Sequence, residues 1–402
     1  MRQTVMHRNW LRRVVVGLAA SLCLAAPLRA QEPYLLHTII PLTGGGAFLG
    51  KSVQMAMQAA EKVINRDGGV RGRPVQFVFH DDQSSPQLAV QLTNEVLATH
   101  PQVIIGSALS AMCNAMAPLM QNGPVMYCLS PAIHPKAGSF VFTASVSQDD
   151  YFVALVRFAQ QQGWKRIALL TTTDASGQDA EHGMSLAMAR PENKDIVLVA
   201  QEHFNPGDVT ISAQVERIRA AQPDFLIGWA TGANAGGMFR GLSQTGFDIP
   251  VGASTSSMTY AQIAAFAAFL PKQLYYASTI WPAYGDARVP ITPDMQKQLD
   301  PYFETASAAG WRPDTASETG WDPPRIVVHA LNQVGTDATP AQLRDAMIAI
   351  TDYVGVDGVY NYVQTPQRGL AAQNTMVSRW DAAANTWIPV NGPGGVPLKP
   401  AP

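Results

Sequence analysis

Short apolar runs alternate along the chain with segments whose apolar positions recur at helical spacing. Strand-like runs are read at 35–40, 74–79, 102–105, 124–129, 166–171, 196–200, 224–229, 249–252 and 274–279. Helical patterns are read near 50–66, 86–99, 111–121, 149–162, 178–189, 210–221, 233–245 and 259–269. Runs such as VIIG (103–106) and FLIGW (225–229) lack the polar alternation of a half-exposed strand, which predicts burial on both faces. Strands and helices alternating in this way predict an α/β architecture of parallel sheets flanked by helices.

The rhythm breaks twice. Residues 130–148 carry Pro131, Pro135 and Gly138, and residues 280–292 carry Pro282 and Pro290. Both breaks are read as crossings of the chain between two lobes. Beyond them, helices are expected near 293–309, 322–334 and 340–349, with short strands near 358–362 and 374–380. The expected division is lobe 1 over 31–145 plus 280–350 and lobe 2 over 146–279 plus 351–392, with a loose Pro- and Gly-rich tail at 393–402.

Residues 1–30 stand apart. Arg2, Arg8, Arg12 and Arg13 precede an apolar stretch, Val14–Ala26, then Leu28-Arg29-Ala30, and no acid interrupts them. This is the order of a cleaved secretory signal, and its apolar core is short for a bilayer span. Cys23 follows Leu22 where a lipoprotein signal wants a small residue, so cleavage is expected after Ala30 and the mature protein is expected in the periplasm. The 28 basic residues less the five leader arginines leave 23 against 30 acidic, a net charge of −7. That balance argues against nucleic acid or an anionic membrane as partner. With 47% hydrophobic residues the chain has the content of an ordinary globular protein. Cys113 and Cys128 remain after processing, either paired in an oxidising compartment or as two buried thiols. No Cys-His cluster stands at metal-ligand spacing, so neither metal nor cofactor is expected.

One motif points elsewhere. Gly45–Ser52 fits the phosphate-loop pattern G-x-x-x-x-G-K-S/T between a strand and a helix, and His80-Asp81-Asp82 imitates a magnesium-binding acid after a strand. Export to a compartment without ATP counts against a nucleotide-binding enzyme. G-x-S-x-G, H-E-x-x-H and paired Cys-His segments are missing from the sequence, so no catalytic residue is nominated.

The spaced segments PLTGGGAFLG, INRDGG-VRG-RPV, HDDQSSPQLAV and VIIGSALS, followed by GWKRIALL, RIRAAQPDFLIG, FRGLSQTGFDIPVG and Trp321-Asp322, resemble the periplasmic leucine/isoleucine/valine-binding proteins. These are type I solute-binding components of ABC importers. The resemblance implies two Rossmann-like lobes joined by three crossings, no enzymatic activity, and closure on a small-molecule ligand followed by docking on an inner-membrane permease. It also explains the glycines of the first loop without phosphate, because that loop faces the interlobe cleft at the carboxyl end of a strand. A sensor presenting ligand to a receptor is the rival use of the same fold.

Candidate ligand residues follow. Ser107 and Ser110 stand at a helix start, and Ser110 matches a serine that binds the ligand carboxylate in the family. Ala132 and His134 lie in the next loop, where the resemblance has an S-P-A-A-T segment facing ligand; His134 departs from it. Phe48, Trp229 and Trp281 offer aromatic area to a ligand, or pack in the core. Ser254 stands where family members binding amino acids place an acid for the ligand ammonium, while Ser176 and Thr231 stand where aromatics are common. A buried ammonium without an acidic partner is costly. The expected ligand is therefore an organic acid, such as an aromatic carboxylate, without a free α-amine, unless Asp174, Asp179 or Glu181 supplies the missing charge. N-terminal sequencing of the exported protein should begin at Gln31; a first residue of Met1 would refute the signal reading.

Overall fold

The computed structural model describes residues 31–400, so the signal segment expected at 1–30 lies outside the described residues. Lobe 1 is built from β1 (Tyr34–Ile40), α1 (Ala47–Arg66), β2 (Val75–Asp81), α2 (Pro86–Leu97), β3 (Val103–Ile105), α3 (Ser110–Met116), β4 (Val125–Cys128) and β5 (Val141–Thr143). Its strands form a parallel sheet in the order β2-β1-β3-β4-β5. Tyr34 lies opposite Val75 and Ile40 opposite Asp81, so the carboxyl ends of β1 and β2 finish level and their loops leave side by side.

Lobe 2 repeats the plan with α4 (Gln148–Gln161), β6 (Arg166–Thr172), α5 (Ala175–Met188), β7 (Val197–Phe204), α6 (Ser212–Ala220), β8 (Phe225–Trp229), α7 (Ala233–Gln244), β9 (Val251–Ala253), α8 (Tyr260–Phe266) and β10 (Leu274–Ser278). The chain continues through α9 (Pro293–Ala308), α10 (Thr315–Val334), α11 (Pro340–Ile348), β11 (Tyr353–Val354), β12 (Val359–Tyr360), β13 (Met376–Asp381) and β14 (Thr386–Pro389). The second sheet runs β14-β13-β10-β9-β8-β6-β7, with β13 and β14 antiparallel additions at one edge. All five residues of β8 are buried, as its unbroken apolar run predicts.

Four expectations need correction. The stretch 130–148, read as irregular, contains β5, a three-residue strand buried throughout and too short to show a pattern. Helix α10 begins seven residues before the expected 322. Pro323-Pro324 resembles a helix start, but Asp314 accepts from the Ser317 amide at 2.9 Å while the Ser317 hydroxyl takes the Asp314 amide at 2.8 Å, a capping box. Residues 351–370 were assigned to lobe 2, yet they pack on lobe 1. The Tyr362 and Tyr127 hydroxyls meet at 2.6 Å, and the Thr143 amide donates to the Gln367 carbonyl at 2.9 Å. The third crossing therefore falls after Gly369. Finally, the expected loose tail is tied down through Lys399: Gln161 donates to the Gly395 carbonyl at 2.9 Å and the Lys399 amide to the Arg288 carbonyl at 3.1 Å.

Two glycines allow a helix to start close against a strand end, one in each lobe. A Cβ on Gly50 would collide with the Pro41 carbonyl, and one on Gly177 with the Thr172 carbonyl. In each lobe, the helix that follows the first strand, α1 after β1 and α5 after β6, thus starts hard against that strand's end. The same closeness disposes of the phosphate-loop reading. Helix α1 is already formed at Ala47, and the Leu49 and Gly50 amides donate to the Gly46 carbonyl at 3.0 and 3.1 Å instead of ringing an anion. The Ser52 hydroxyl is buried and donates to Asp314 at 2.7 Å. No described helix is long and apolar enough to cross a membrane.

Cys113 and Cys128 form a disulfide, with Cα atoms 6.0 Å apart. It joins the first turns of α3 to the end of β4, the two segments that carry Ser110 and Ala132. Closing a loop of 15 residues restricts the unfolded chain by about 3 kcal/mol. The Cys113→Ala/Cys128→Ala double variant should lose roughly that much stability in urea unfolding; an unchanged midpoint would show that the staple adds nothing.

Candidate functional site

The loops at the carboxyl ends of both sheets face each other across a cavity of about 300 Å³. Lobe 1 contributes Gly45 and Gly46 after β1, Ser84 after β2, Ser110 after β3, and Ser130 and Ala132 after β4. Lobe 2 contributes Gln148 and Tyr151 of α4, Asp174 and Ser176 after β6, Thr231 and Asn234 after β8, and Ser254 and Ser256 after β9. The floor is the start of α10, with Thr315, Glu318 and Thr319. Crevices at strand carboxyl ends are where open α/β sheets bind ligands.

The first loop is held in place by Asp81. Burial alone would raise its carboxyl, but the Thr43 hydroxyl at 2.7 Å and the amides of Gln83, Thr43 and Leu42 outweigh it and hold it below the usual range. The neighbouring Asp82 is buried and raised by desolvation; it accepts from the Ser107 hydroxyl at 2.7 Å. The HDD segment is thus a loop fastener.

Helix starts differ between the two walls. At α3 the cap position is Leu109, and no side chain caps the first amides. At α5, Asp174 Oδ1 accepts from the Ser176 and Gly177 amides at 3.1 and 3.0 Å and from the Thr172 hydroxyl at 2.9 Å. The second wall acid is Glu318. The single Thr279 hydroxyl lies 3.0 Å from Glu318 Oε2 and 2.9 Å from Asp357 Oδ1, and one hydroxyl proton cannot serve both carboxylates. Burial first, and then the neighbouring Asp357, raise the Glu318 carboxyl well above its ordinary range. Among the described residues lining the cleft, none is Lys, Arg or His.

Five of the ten nominated residues line the cavity: Ser110, Ala132, Ser176, Thr231 and Ser254. The other five do not. Ser107 is turned to Asp82. Phe48 lies on α1 and meets Phe266 of lobe 2 edge-on at 6.4 Å, beside the cavity. Trp229 is buried behind the wall, where its indole donates to Gln148 at 2.9 Å and so positions a wall residue. Trp281 is buried against Trp387, 5.7 Å between rings. His134 turns away to Asp179, Nε2 to Oδ1 at 2.6 Å. The sequence reading missed Gln148, Tyr151, Asn234 and Glu318. Gln148 had one available signal: Ser147 caps the helix that follows a crossing, and its hydroxyl takes the Asp150 amide at 3.0 Å.

The family described as "Periplasmic binding protein" matches residues 38–385 of the chain. The chain belongs to this family. A curated relative, the Leu/Ile/Val-binding protein homolog 3 of Brucella melitensis, is 24% identical over 237 residues; the match covers 58% of this chain and 63% of that protein, less than two thirds of its length. The solved branched-chain amino acid transporter substrate binding protein LivJ of Streptococcus pneumoniae, in complex with isoleucine, is similar with a TM-score of 0.72 at 16% identity, covering 89% of this chain and 98% of that one. An ABC transporter solute binding protein of Rhodopseudomonas palustris, in complex with benzoate, is similar with a TM-score of 0.71 at 18% identity, covering 91% and 97%. The fold is that of type I periplasmic binding proteins.

The acid cluster below the cleft gives the binding protein a pH dependence. Asp322 is pushed up to about 7 by burial and by Asp357, and Asp357 is itself raised by burial. Carboxyls raised in the folded state add stability that is complete below their unfolded values near about pH 4 and is lost as pH rises through the folded values. Glu318→Gln, which keeps a donor for Asp357 without a titrating proton, should gain thermal stability relative to the parent as pH rises from 5 to 8. A melting-temperature difference that stays constant across that window would refute the buried proton.

Proposed function

We propose that the binding protein is the exported solute-binding component of an ABC importer and that its cargo is a small organic acid with an apolar body and no free α-amine. The observation that carries this reading is the state of the acids on the wall. Ser254 stands where the family resemblance puts an acid for an ammonium, Glu318 is buried with its carboxyl raised well above the ordinary range, which disfavours its charged form, and Asp174 commits Oδ1 to the start of its own helix. A carboxylate fits the opposite wall, where Ser110 and the side-chain-uncapped start of α3 offer donors. A cavity of about 300 Å³ lies at the small end of ligand pockets and suits a cargo of amino-acid or benzoate size. The isoleucine and benzoate complexes of similar folds are the two poles between which the wall chemistry selects.

Binding proceeds by closure. Solute meets lobe 1, and lobe 2 swings about the three crossings to bury it; the closed form persists only because cargo contacts favour it over the open one. Closed protein then docks on the permease. A thermal-shift panel on mature protein tests the cargo: benzoates or aliphatic carboxylates should raise the melting temperature and leucine should not, with the gain reduced in Ser110→Ala. Stabilisation by leucine and by none of the acids would make Asp174 the ammonium partner and overturn the reading.

A further inference from the structure

We propose that His134, Asp149, Asp179 and His182 form a binding site for a zinc-type dication that joins the two lobes outside the solute cleft. His134 belongs to the loop after β4 in lobe 1. Asp149 lies in the first turn of α4, and Asp179 and His182 sit three residues apart on one face of α5, both in lobe 2. One ligand atom from each of the four lies within 4.8 Å of the others. His134 Nε2 is 2.6 Å from Asp179 Oδ1, its Nδ1 is 3.8 Å from Asp149 Oδ2, and His182 Nδ1 is 3.3 Å from Asp149 Oδ1. Tetrahedral zinc with nitrogen and oxygen donors sets neighbouring ligand atoms about 3.3 Å apart, which small side-chain rotations reach from these separations.

The donor set selects the cation. Two imidazoles with two carboxylates suit zinc and its neighbours, whereas magnesium and calcium take oxygen alone. The Asp179 Oδ2 atom is buried without a hydrogen-bond partner, a lone pair set that a metal would use. The two carboxylates supply two negative charges, and the buried Arg368 guanidinium interacts electrostatically with both, after Asp150. Access is open, since the side chains of His134 and His182 are 46% and 59% exposed. No wall residue of the solute cleft is among the four.

The consequence is coupling. Because one ligand comes from lobe 1 and three from lobe 2, the complete site exists only with the lobes together, and bound metal favours that arrangement. Calorimetry of mature protein with zinc chloride, in the absence of solute, should show one saturable site. Magnesium should give no such site. His134→Ala and His182→Ala, with native circular dichroism, should each weaken zinc binding by at least about tenfold. Small-angle scattering should show zinc compacting the parent and not His134→Ala. Loss in His182→Ala with full binding in His134→Ala would place the metal on one lobe and overturn the proposal, as would absent zinc binding or equal binding in all three proteins. Because no solute enters the measurement, its outcome is independent of the cargo assignment.

Discussion

One threonine hydroxyl lies within hydrogen-bond distance of two buried carboxyls beneath the cleft, and that arrangement fixes the meeting of three chain segments. Thr279 ends the run that contains β10, Glu318 lies in the first turn of α10, and Asp357 follows β11. The geometry holds only if at least one acid keeps its proton. Asp322 extends the cluster by accepting from the Val356 and Asp357 amides at 3.0 and 3.1 Å, and Tyr360 reaches both aspartates at 3.1 and 3.2 Å. The crossing from lobe 2 and the floor built from lobe 1 are thereby parts of one hydrogen-bonded knot.

Around the rim, the lobes touch through contacts of different chemistry. The backbone of Gly45 approaches Gly232 so closely that a Cβ on Gly232 has no room. Phe48 meets Phe266, an edge contact worth on the order of 0.5–1.5 kcal/mol beyond its buried area. His134 meets Asp179 on another side. Arg368 acts from behind, donating to the carbonyls of Ile133 at 2.6 Å and Pro131 at 3.2 Å in the loop and, more distantly, of Ser145 at 3.4 Å at the first crossing. The wall loop after β4 and the hinge beside it are thus held by a single side chain from the third pass of the chain. Each contact is modest, which suits a clamp whose closed state must remain within reach of its open one.

The period of apolar runs was enough to read the two parallel sheets, because strands buried on both faces leave an unbroken signature such as 225–229. Ser110, which follows a strand's carboxyl end, and Ser176, Thr231 and Ser254, nominated through the family resemblance, all line the wall. Side-chain direction was not legible. Trp229 ends β8 and points behind the wall, and Ser107 turns to Asp82, a partner 25 residues away that no local pattern announces. The strands β5 and β14, three and four residues long, are too short to show a pattern, and the lobe of the 351–370 segment is decided by Tyr127, Thr143 and the buried contacts of Arg368 instead of by periodicity. Glu318 was hidden because its helix was read as beginning at the prolines that lie within it.

The fastened C-terminal segment has a practical corollary. Gly395 is bonded to Gln161 at the far end of α4, whose opposite end carries Gln148 on the cleft wall. A helix of that length separates the two by about 20 Å. A surface tether or fluorophore joined near Lys399 would therefore report on, or immobilise, the back of one jaw while leaving the mouth unobstructed.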